Sequence, residues 1–178
     1  PLPGVTRITQ QGGTVIINTD LTVATLDLIS GTMAGSGNVT VSQQLNWSGS
    51  HLGGSGRLIV AEGANGSITS ATSKAINDSR VIENRGVTTY SGSGLLFGFT
   101  TGGTGRIENK PSGRFEMLGG TVISRNNAGT FSFDNEGELR KSGAGTASFL
   151  NPIPLVNTGT VLLAEGTLSL AGGFTQNG

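Results

Sequence analysis

The chain has 178 residues with 11 basic and 11 acidic side chains, so its formal charges cancel and only 12% of its positions are charged. Because the charges balance, the chain lacks the excess of basic residues that is typical of a protein that binds nucleic acid or an anionic membrane surface. No apolar run approaches the length of about 18 residues that a membrane-spanning helix needs, and the absence of Cys excludes disulfides and thiolate metal sites together.

Glycine is the unusual feature of the composition. It supplies 31 residues, about 17% of the chain, against an average of about 7%. Collagen is excluded because there is no three-residue period and there are only five Pro. Gly/Ser-rich disorder is the competing interpretation. However, 34% of the residues are hydrophobic, and they fall in short alternating clusters, which a packed core requires and disorder does not.

Apolar residues alternate with polar ones in many short stretches along the chain, and this period of two predicts short β-strands with one face inward. In chain order the alternating sets are Val15/Ile17, Leu26/Leu28, Val39/Val41, Leu45/Trp47, Leu58/Val60, Leu95/Phe97/Phe99, Phe115/Met117, Phe131/Phe133, Val161/Leu163 and Leu168/Leu170. No window keeps helical spacing. Residues 64–80 lack the alternation, so we expect them to form a loop that projects from the body of the molecule.

Two short phrases recur at nearly regular intervals. GSGNVTV at 35–41 returns as GSGRLIV at 54–60, 19 residues later. A second phrase, an apolar residue followed by Asn and then Gly, appears as IENRG, IENKPSG, FDNEG and VNTG. Its Asn residues recur every 20–26 residues and form one register: Asn84, Asn109, Asn135, Asn157 and Asn177.

These periods are typical of a solenoid whose equivalent residues return in every turn. We predict an all-β, right-handed, single-stranded parallel β-helix of about eight coils, which at about 4.8 Å per coil gives a rod roughly 40 Å long. A sandwich or an antiparallel barrel uses similar short strands and remains the alternative. The recurring Asn and Gly predict a corner that needs left-handed backbone angles, where the stacked Asn amides form a structural ladder.

The stretches Gly35–Leu58 and Phe133–Gly173 resemble the repeats of very large exported bacterial β-helical surface proteins, the filamentous-haemagglutinin-like adhesins and autotransporter passengers. The resemblance implies a right-handed parallel β-helix, export from the cell, and a role as a stalk or adhesive surface. It transfers a fold better than it transfers an activity.

Candidate chemistry is sparse. A Ser/His/Asp triad would have to use His51, the single His, which lies in a Ser/Gly-rich turn. Glu83, Glu108 and Asp134 share the position before the corner Asn and could form an acidic row. We expect Arg85, Arg106 and Lys110 to compensate it as a solvated charge ladder. The alternative is a pair of carboxylates that act on polysaccharide.

Carbohydrate binding would need exposed aromatic side chains, and Trp47 and Tyr90 are the candidate glycan contacts. Trp47 alternates with Leu45, which favours a core position instead. No nonapeptide calcium repeat, EF-hand or phosphate-binding loop is present. We therefore predict no cofactor, no metal site and no catalytic residues.

The prediction as a whole is a non-enzymatic structural or adhesive segment of a bacterial cell-surface or secreted protein. Residues 1–178 would form one solenoid segment of a longer chain, located outside the cell. Its partners would be further coils of the same chain and a host-surface or matrix glycan or protein. A polysaccharide-binding module or a polysaccharide-degrading β-helix enzyme is the alternative.

Overall fold

The computed structural model of the protein describes residues 6–69, 72–99, 103–150 and 152–177, which form β-strands joined by turns. The strands are β1 (Arg7–Ile16), β2 (Leu21–Ala34), β3 (Val39–Trp47), β4 (His51–Leu52), β5 (Arg57–Val60), β6 (Asn65–Ile68), β7 (Lys74–Ile76), β8 (Val81–Asn84), β9 (Val87–Tyr90), β10 (Leu95–Phe97), β11 (Arg106–Asn109), β12 (Arg114–Leu118), β13 (Val122–Arg125), β14 (Ser132–Asn135), β15 (Glu138–Ser142), β16 (Thr146–Phe149), β17 (Leu155–Asn157), β18 (Thr160–Leu163), β19 (Thr167–Leu170) and β20 (Phe174–Gln176).

The strands stack in three columns, which we call faces 1, 2 and 3. Face 1 consists of residues 21–23 and 39–41 followed by β5, β8, β11, β14, β17 and β20. Face 2 consists of residues 7–10, 25–28 and 44–47 followed by β6, β9, β12, β15 and β18. Face 3 consists of residues 14–16 and 32–34 followed by β4, β7, β10, β13, β16 and β19.

Every pairing between these strands is parallel, and the chain visits faces 1, 2 and 3 in order in each turn. The fold is therefore a parallel β-solenoid of about seven turns, consistent with a right-handed parallel β-helix. The predicted fold class is confirmed, with about seven turns rather than eight. The 19-residue repeat is also in register, because Val39 pairs with Leu58 and Val41 with Val60.

The alternating apolar residues point inward from all three faces and form one continuous core. Its largest members include Trp47, Tyr90, Phe97, Phe115 and Phe133, all fully buried. Phe133 packs edge-on between Phe115 and Phe149, with ring centroids 5.0 and 5.2 Å apart. The period of two thus points large side chains inward from all three faces, and their contacts across the interior fill it without helices.

The expected projecting loop at 64–80 is wrong for its described residues, 64–69 and 72–80. They include β6 and β7, which continue faces 2 and 3. The alternation is hidden because β6 reads Asn-Gly-Ser-Ile and contributes one large apolar side chain, whereas β7 buries all three of its residues, including Lys74. Residues 70 and 71 lie outside the described part of the chain.

Candidate functional site

The corner between faces 1 and 2 carries a row of stacked amides. Asn84, Asn109, Asn135 and Asn157 are successive register partners and are all buried. The Nδ2 of each donates to the Oδ1 of the next, at 2.7, 2.7 and 2.6 Å. Because each of these amides already makes hydrogen bonds within the row or to adjacent corner groups, this row stabilises the turns and offers no free group to a ligand.

The fifth member of the row is Gln176, and placing Asn177 there was wrong. Asn157 pairs in register with Gln176 and donates to its Oε1 at 2.7 Å. Asn177 follows one residue later and its backbone N–H donates to the carbonyl of Asn157. The last interval is shorter by one residue than the Asn spacing suggests, and the longer Gln side chain still reaches the ladder.

The glycines of the recurring phrase serve a different purpose from the one predicted. The corner Asn residues do not have positive φ, because Asp78 is the only non-glycine residue with positive φ in the described ranges. The glycines of the phrase lack positive φ as well: Gly86, Gly113, Gly137 and Gly159. A Cβ on Gly137 would overlap the backbone carbonyl oxygens of Gly113 and Lys110. The expected left-handed corner is therefore wrong. Glycine is required because the backbones of adjacent turns approach too closely for any side chain.

Glu83, Glu108 and Asp134 do form a row, on the outer surface of face 1. Ile59 precedes them in register and Val156 follows, so apolar side chains flank the row at both ends. We call these three residues the acidic row. Glu83 is 3% exposed and Glu108 is 6% exposed, so the row is much more desolvated than the solvated ladder that the sequence suggested.

Cations on both sides neutralise the acidic row. Arg57 Nε lies 2.6 Å from Glu83 Oε2. Nη2 of the same guanidinium pairs with Glu108, which lies one turn beyond Glu83. Glu108 also pairs with Arg106, at 2.6 Å, and with Lys110, at 3.3 Å. Buried carboxylates are stable only when paired in this way. Arg57 was not among the cations predicted from sequence, because it lies on the turn before the phrase begins.

The same contacts shift the pKa values of two neighbouring acids in opposite directions. Burial would raise the pKa of Glu108, but the hydrogen bonds and charges of Arg106, Arg57 and Lys110 outweigh it and hold that pKa below its ordinary value of 4.5. Burial raises the pKa of Asp134 above its ordinary value of 3.8. Arg106, the nearest cation to Asp134, is 3.7 Å away. The cations therefore favour the charged form of Glu108, whereas burial disfavours the charged form of Asp134.

Trp47 and Tyr90, the candidate glycan contacts, are both 0% exposed, so that prediction was wrong. Trp47 Nε1 donates to the carbonyl of Ser50 at 2.8 Å, and the Tyr90 hydroxyl donates to the carbonyl of Val122 at 2.7 Å. Burial raises the pKa of Tyr90 to about 12. His51 is half-buried against Phe99, with the ring centroids 4.7 Å apart, and burial lowers its pKa.

Three cations lie inside the solenoid and were missed from sequence. Lys74, Arg80 and Lys141 are all 0% exposed. Arg80 donates through Nε and Nη2 to the carbonyl of Gly53, at 2.8 and 2.6 Å. Lys141 Nζ donates to the carbonyls of Ser142 and Glu165 at 2.8 and 3.1 Å. Burial lowers the pKa of Lys74 to about 8. Corner carbonyls thus accept hydrogen bonds from these buried cations, although Arg80 Nη1 has no hydrogen-bond partner among the described residues. No linear motif in the sequence indicates these contacts.

The described residues contain no group of three His, Cys, Asp or Glu side chains that could hold a metal ion. None of them forms a helix long and apolar enough to cross a membrane. Comparisons with protein-family models, with curated proteins and with solved structures found no match to this chain.

Proposed function

We propose that this chain is a non-enzymatic structural segment, a stiff shaft in a bacterial protein that is secreted or displayed at the cell surface. The observation that carries the proposal is the unbroken parallel pairing of all three faces over about seven turns. Each inner turn is hydrogen-bonded to the turns before and after it on every face. Bending the axis would stretch these ladders on one side, so the architecture favours a spacer of fixed length.

The outer surface supports the same proposal. The acidic row, which the alternative prediction would use to act on polysaccharide, is compensated by cations, and its members Glu83 and Glu108 are buried. The aromatic side chains expected to contact glycans are in the core. Polar corners rich in Gly, Ser and Asn keep the surface hydrophilic at zero net charge. The placement outside the cell is supported by the resemblance of the repeats to those of exported bacterial surface proteins.

Spin labels provide a direct test of the shaft, because the chain has no Cys of its own. Thr9, Asp27, Asn46, Ser67, Thr89, Glu116, Arg140 and Leu162 form one outward row on face 2, with seven spacings between its ends. Labels at Thr9→Cys and Leu162→Cys should give one narrow distance distribution near 34 Å, from about 4.8 Å per spacing.

Moving the second label to Arg140→Cys should shorten that distance by about 5 Å, one strand spacing. A broad distribution, or one that does not shorten with this change, would contradict a stiff shaft. Measurements at high dilution ensure that both labels belong to one molecule.

A second candidate, a polysaccharide-degrading enzyme, is favoured by one observation. Glu108 and Asp134 are adjacent acids on the outer surface, and glycosidases use a pair of carboxyl groups in different environments. The cations around Glu108 argue against it, since they occupy both carboxylate oxygens. We expect no new reducing ends from a panel of bacterial and host polysaccharides. Reducing ends that disappear in Asp134→Asn would establish the enzyme instead.

The adhesive form of the proposal is tested on a glycan array with the same protein. Binding that survives Trp47→Phe and Tyr90→Phe would identify an adhesive outer face, because neither aromatic side chain is exposed. A blank array together with the narrow spin-label distance would leave the spacer role alone.

A further inference from the structure

Two aromatic rings meet on the side of the rod, at His51 in β4 and at Phe99 just after β10. Their centroids are 4.7 Å apart and their planes meet at 61°, which is an edge-to-face contact. Both side chains are half-buried, whereas Trp47, Tyr90 and Phe97 are fully buried. The pair therefore presents aromatic surface on the side of the molecule, which those core rings do not.

The contact between the two rings spans two turns of the solenoid. Ala75 pairs in register with His51 on one side and with Leu96 on the other, so it occupies the turn between them. Because this turn contributes only a methyl group to the row, Phe99 can reach His51 from two turns away. Residues 100–102, which follow Phe99, lie outside the described part of the chain, and the site does not include them.

The outward row around the pair is uncharged. Ion pairs occupy faces 1 and 2 and the corner between them, whereas the row of His51 on face 3 contains Thr32, Ala75, Leu96 and Ser124. The carboxylate of Asp78, at the adjoining corner, accepts a hydrogen bond from the N–H of Gly54 at 2.8 Å. The positions two residues before and after His51 and Leu96 are all glycine: Gly49, Gly53, Gly94 and Gly98. Their lack of side chains leaves the row open on both sides.

His51 adds polar groups beside the ring of Phe99. Burial lowers the pKa of His51, so its imidazole is neutral at pH 7, with one nitrogen as a donor and the other as an acceptor. Within the described ranges neither nitrogen makes a hydrogen bond. The pair thus combines an aromatic face with a donor and an acceptor that are available to a ligand.

We propose that His51 and Phe99 bind one sugar residue of a neutral glycan. A sugar ring carries C–H groups on its faces and hydroxyl groups at its edge. The aromatic face of Phe99 suits the C–H groups, and the imidazole nitrogens of His51 suit the hydroxyl groups. Small-molecule sites combine apolar surface with a few polar groups in this way. The proposal rests on the adhesive form of the proposed function and specifies its ligand.

Other partners fit this surface less well. A stable protein interface buries about 800 Å² on each partner, whereas the apolar side chains here are the two rings and Leu96, with Thr32 and Ser124 in the same row. An acidic glycan would need cations, and these lie on faces 1 and 2. A neutral glycan needs neither a large apolar area nor a cluster of cations.

NMR spectroscopy tests the site directly, because His51 is the single His and its imidazole C–H signals report on the pair. The wild-type protein is titrated with neutral hexasaccharides of glucose, N-acetylglucosamine, galactose and mannose, and with an oligogalacturonate as the acidic comparison. At least one neutral hexasaccharide should shift the His51 signal in a saturable manner, and the oligogalacturonate should not. No shift with any neutral hexasaccharide, or a shift with the oligogalacturonate alone, would overturn the proposal.

Substitutions at Phe99 show whether the ring carries the binding. Phe99→Ala should weaken it about tenfold, and Phe99→Leu, which keeps apolar bulk but removes the aromatic face, should weaken it to a similar extent. Phe174→Ala is the matched control, because Phe174 is 49% exposed on face 1, and it should bind like the wild type. Unchanged affinity in both Phe99 variants, or an equal loss in the control, would overturn the site.

The spin-label distances separate this proposal from the shaft on which it is carried. The labelled positions lie on face 2, so the distance between them does not depend on the ring pair on face 3. A titration without any shift, together with one narrow distance, would overturn the glycan site and leave the shaft in place.

Discussion

Asn109 lies in the buried amide ladder, and we expect Asn109→Ala to lower the free energy of unfolding more than other substitutions that remove a side chain of similar size. Asn109 is 0% exposed and its side chain takes part in three hydrogen bonds. It accepts from Asn84 at 2.7 Å and donates to Asn135 at 2.7 Å and to the carbonyl of Glu138 at 3.0 Å. Asn109→Ala removes all three and leaves buried groups unpaired. At about 1 kcal/mol for each bond, the free energy of unfolding should fall by about 3 kcal/mol.

Guanidinium denaturation measures this loss as a shift of the midpoint at constant slope. Solenoids can unfold turn by turn, so circular dichroism should be followed together with the fluorescence of Trp47, the only Trp. Gln176→Ala is the control, because this side chain belongs to the same ladder but is exposed, and it should cost less than about 1 kcal/mol. Equal losses in the two variants would refute the view that the buried ladder supports the turns.

Three further predictions concern the close backbone contact, the acidic row and the buried phenol. Gly137→Ala should destabilise the protein by about 2–3 kcal/mol because its Cβ has no room; Gly120→Ala, where the nearest atom would be 3.8 Å away, should change the thermal midpoint little. Glu108→Gln should cost about 3 kcal/mol at neutral pH by removing the charge from the buried acceptor of two hydrogen bonds, from Arg57 and Arg106, whereas Asp134→Asn should be neutral or stabilising, because burial already disfavours that charge. Folding lowers the pKa of Glu108, so the contribution of this residue to stability is present above pH 4.5 and is lost as the pH falls below that value. The midpoint of urea unfolding should therefore vary less with pH in that range for Glu108→Gln than for the wild type. Tyr90 has its pKa raised from 10.0 to about 12, so stability should fall as the pH rises from 10.0 towards 12. Phenolate absorbance should then appear together with unfolding, and Tyr90→Phe should remove this part of the alkaline loss.

The strand pattern was predictable because a solenoid repeats its local rules. Inward apolar residues two apart predicted the strands, and the Asn spacing predicted which residues meet one turn later. The acidic row followed from the same spacing. Sequence alone also favoured a core position for Trp47 by its alternation with Leu45, and keeping Trp47 as a glycan contact overlooked that signal.

The remaining features depend on contacts between turns, which a linear pattern does not contain. Residue 137 must be glycine because backbone carbonyl oxygens of the previous turn occupy the space of a Cβ. The residues beside it in sequence do not indicate that contact. Arg80 and Lys141 are charged residues inside the rod, and their hydrogen bonds go to corner carbonyls whose positions depend on the stacking of the turns. Gln176 replaces Asn at the end of the ladder because a one-residue change in turn length is absorbed by a longer side chain.

The way each amide and each glycine fits its counterpart in the next turn constrains how such a chain can change length. A duplicated segment of one full circuit brings its own Asn and its own Gly, so it finds complementary neighbours on both sides. A segment of any other length shifts every inward side chain that follows it. Genetic recombination should therefore lengthen or shorten this rod in whole circuits of about 19–26 residues, the intervals at which its phrases recur.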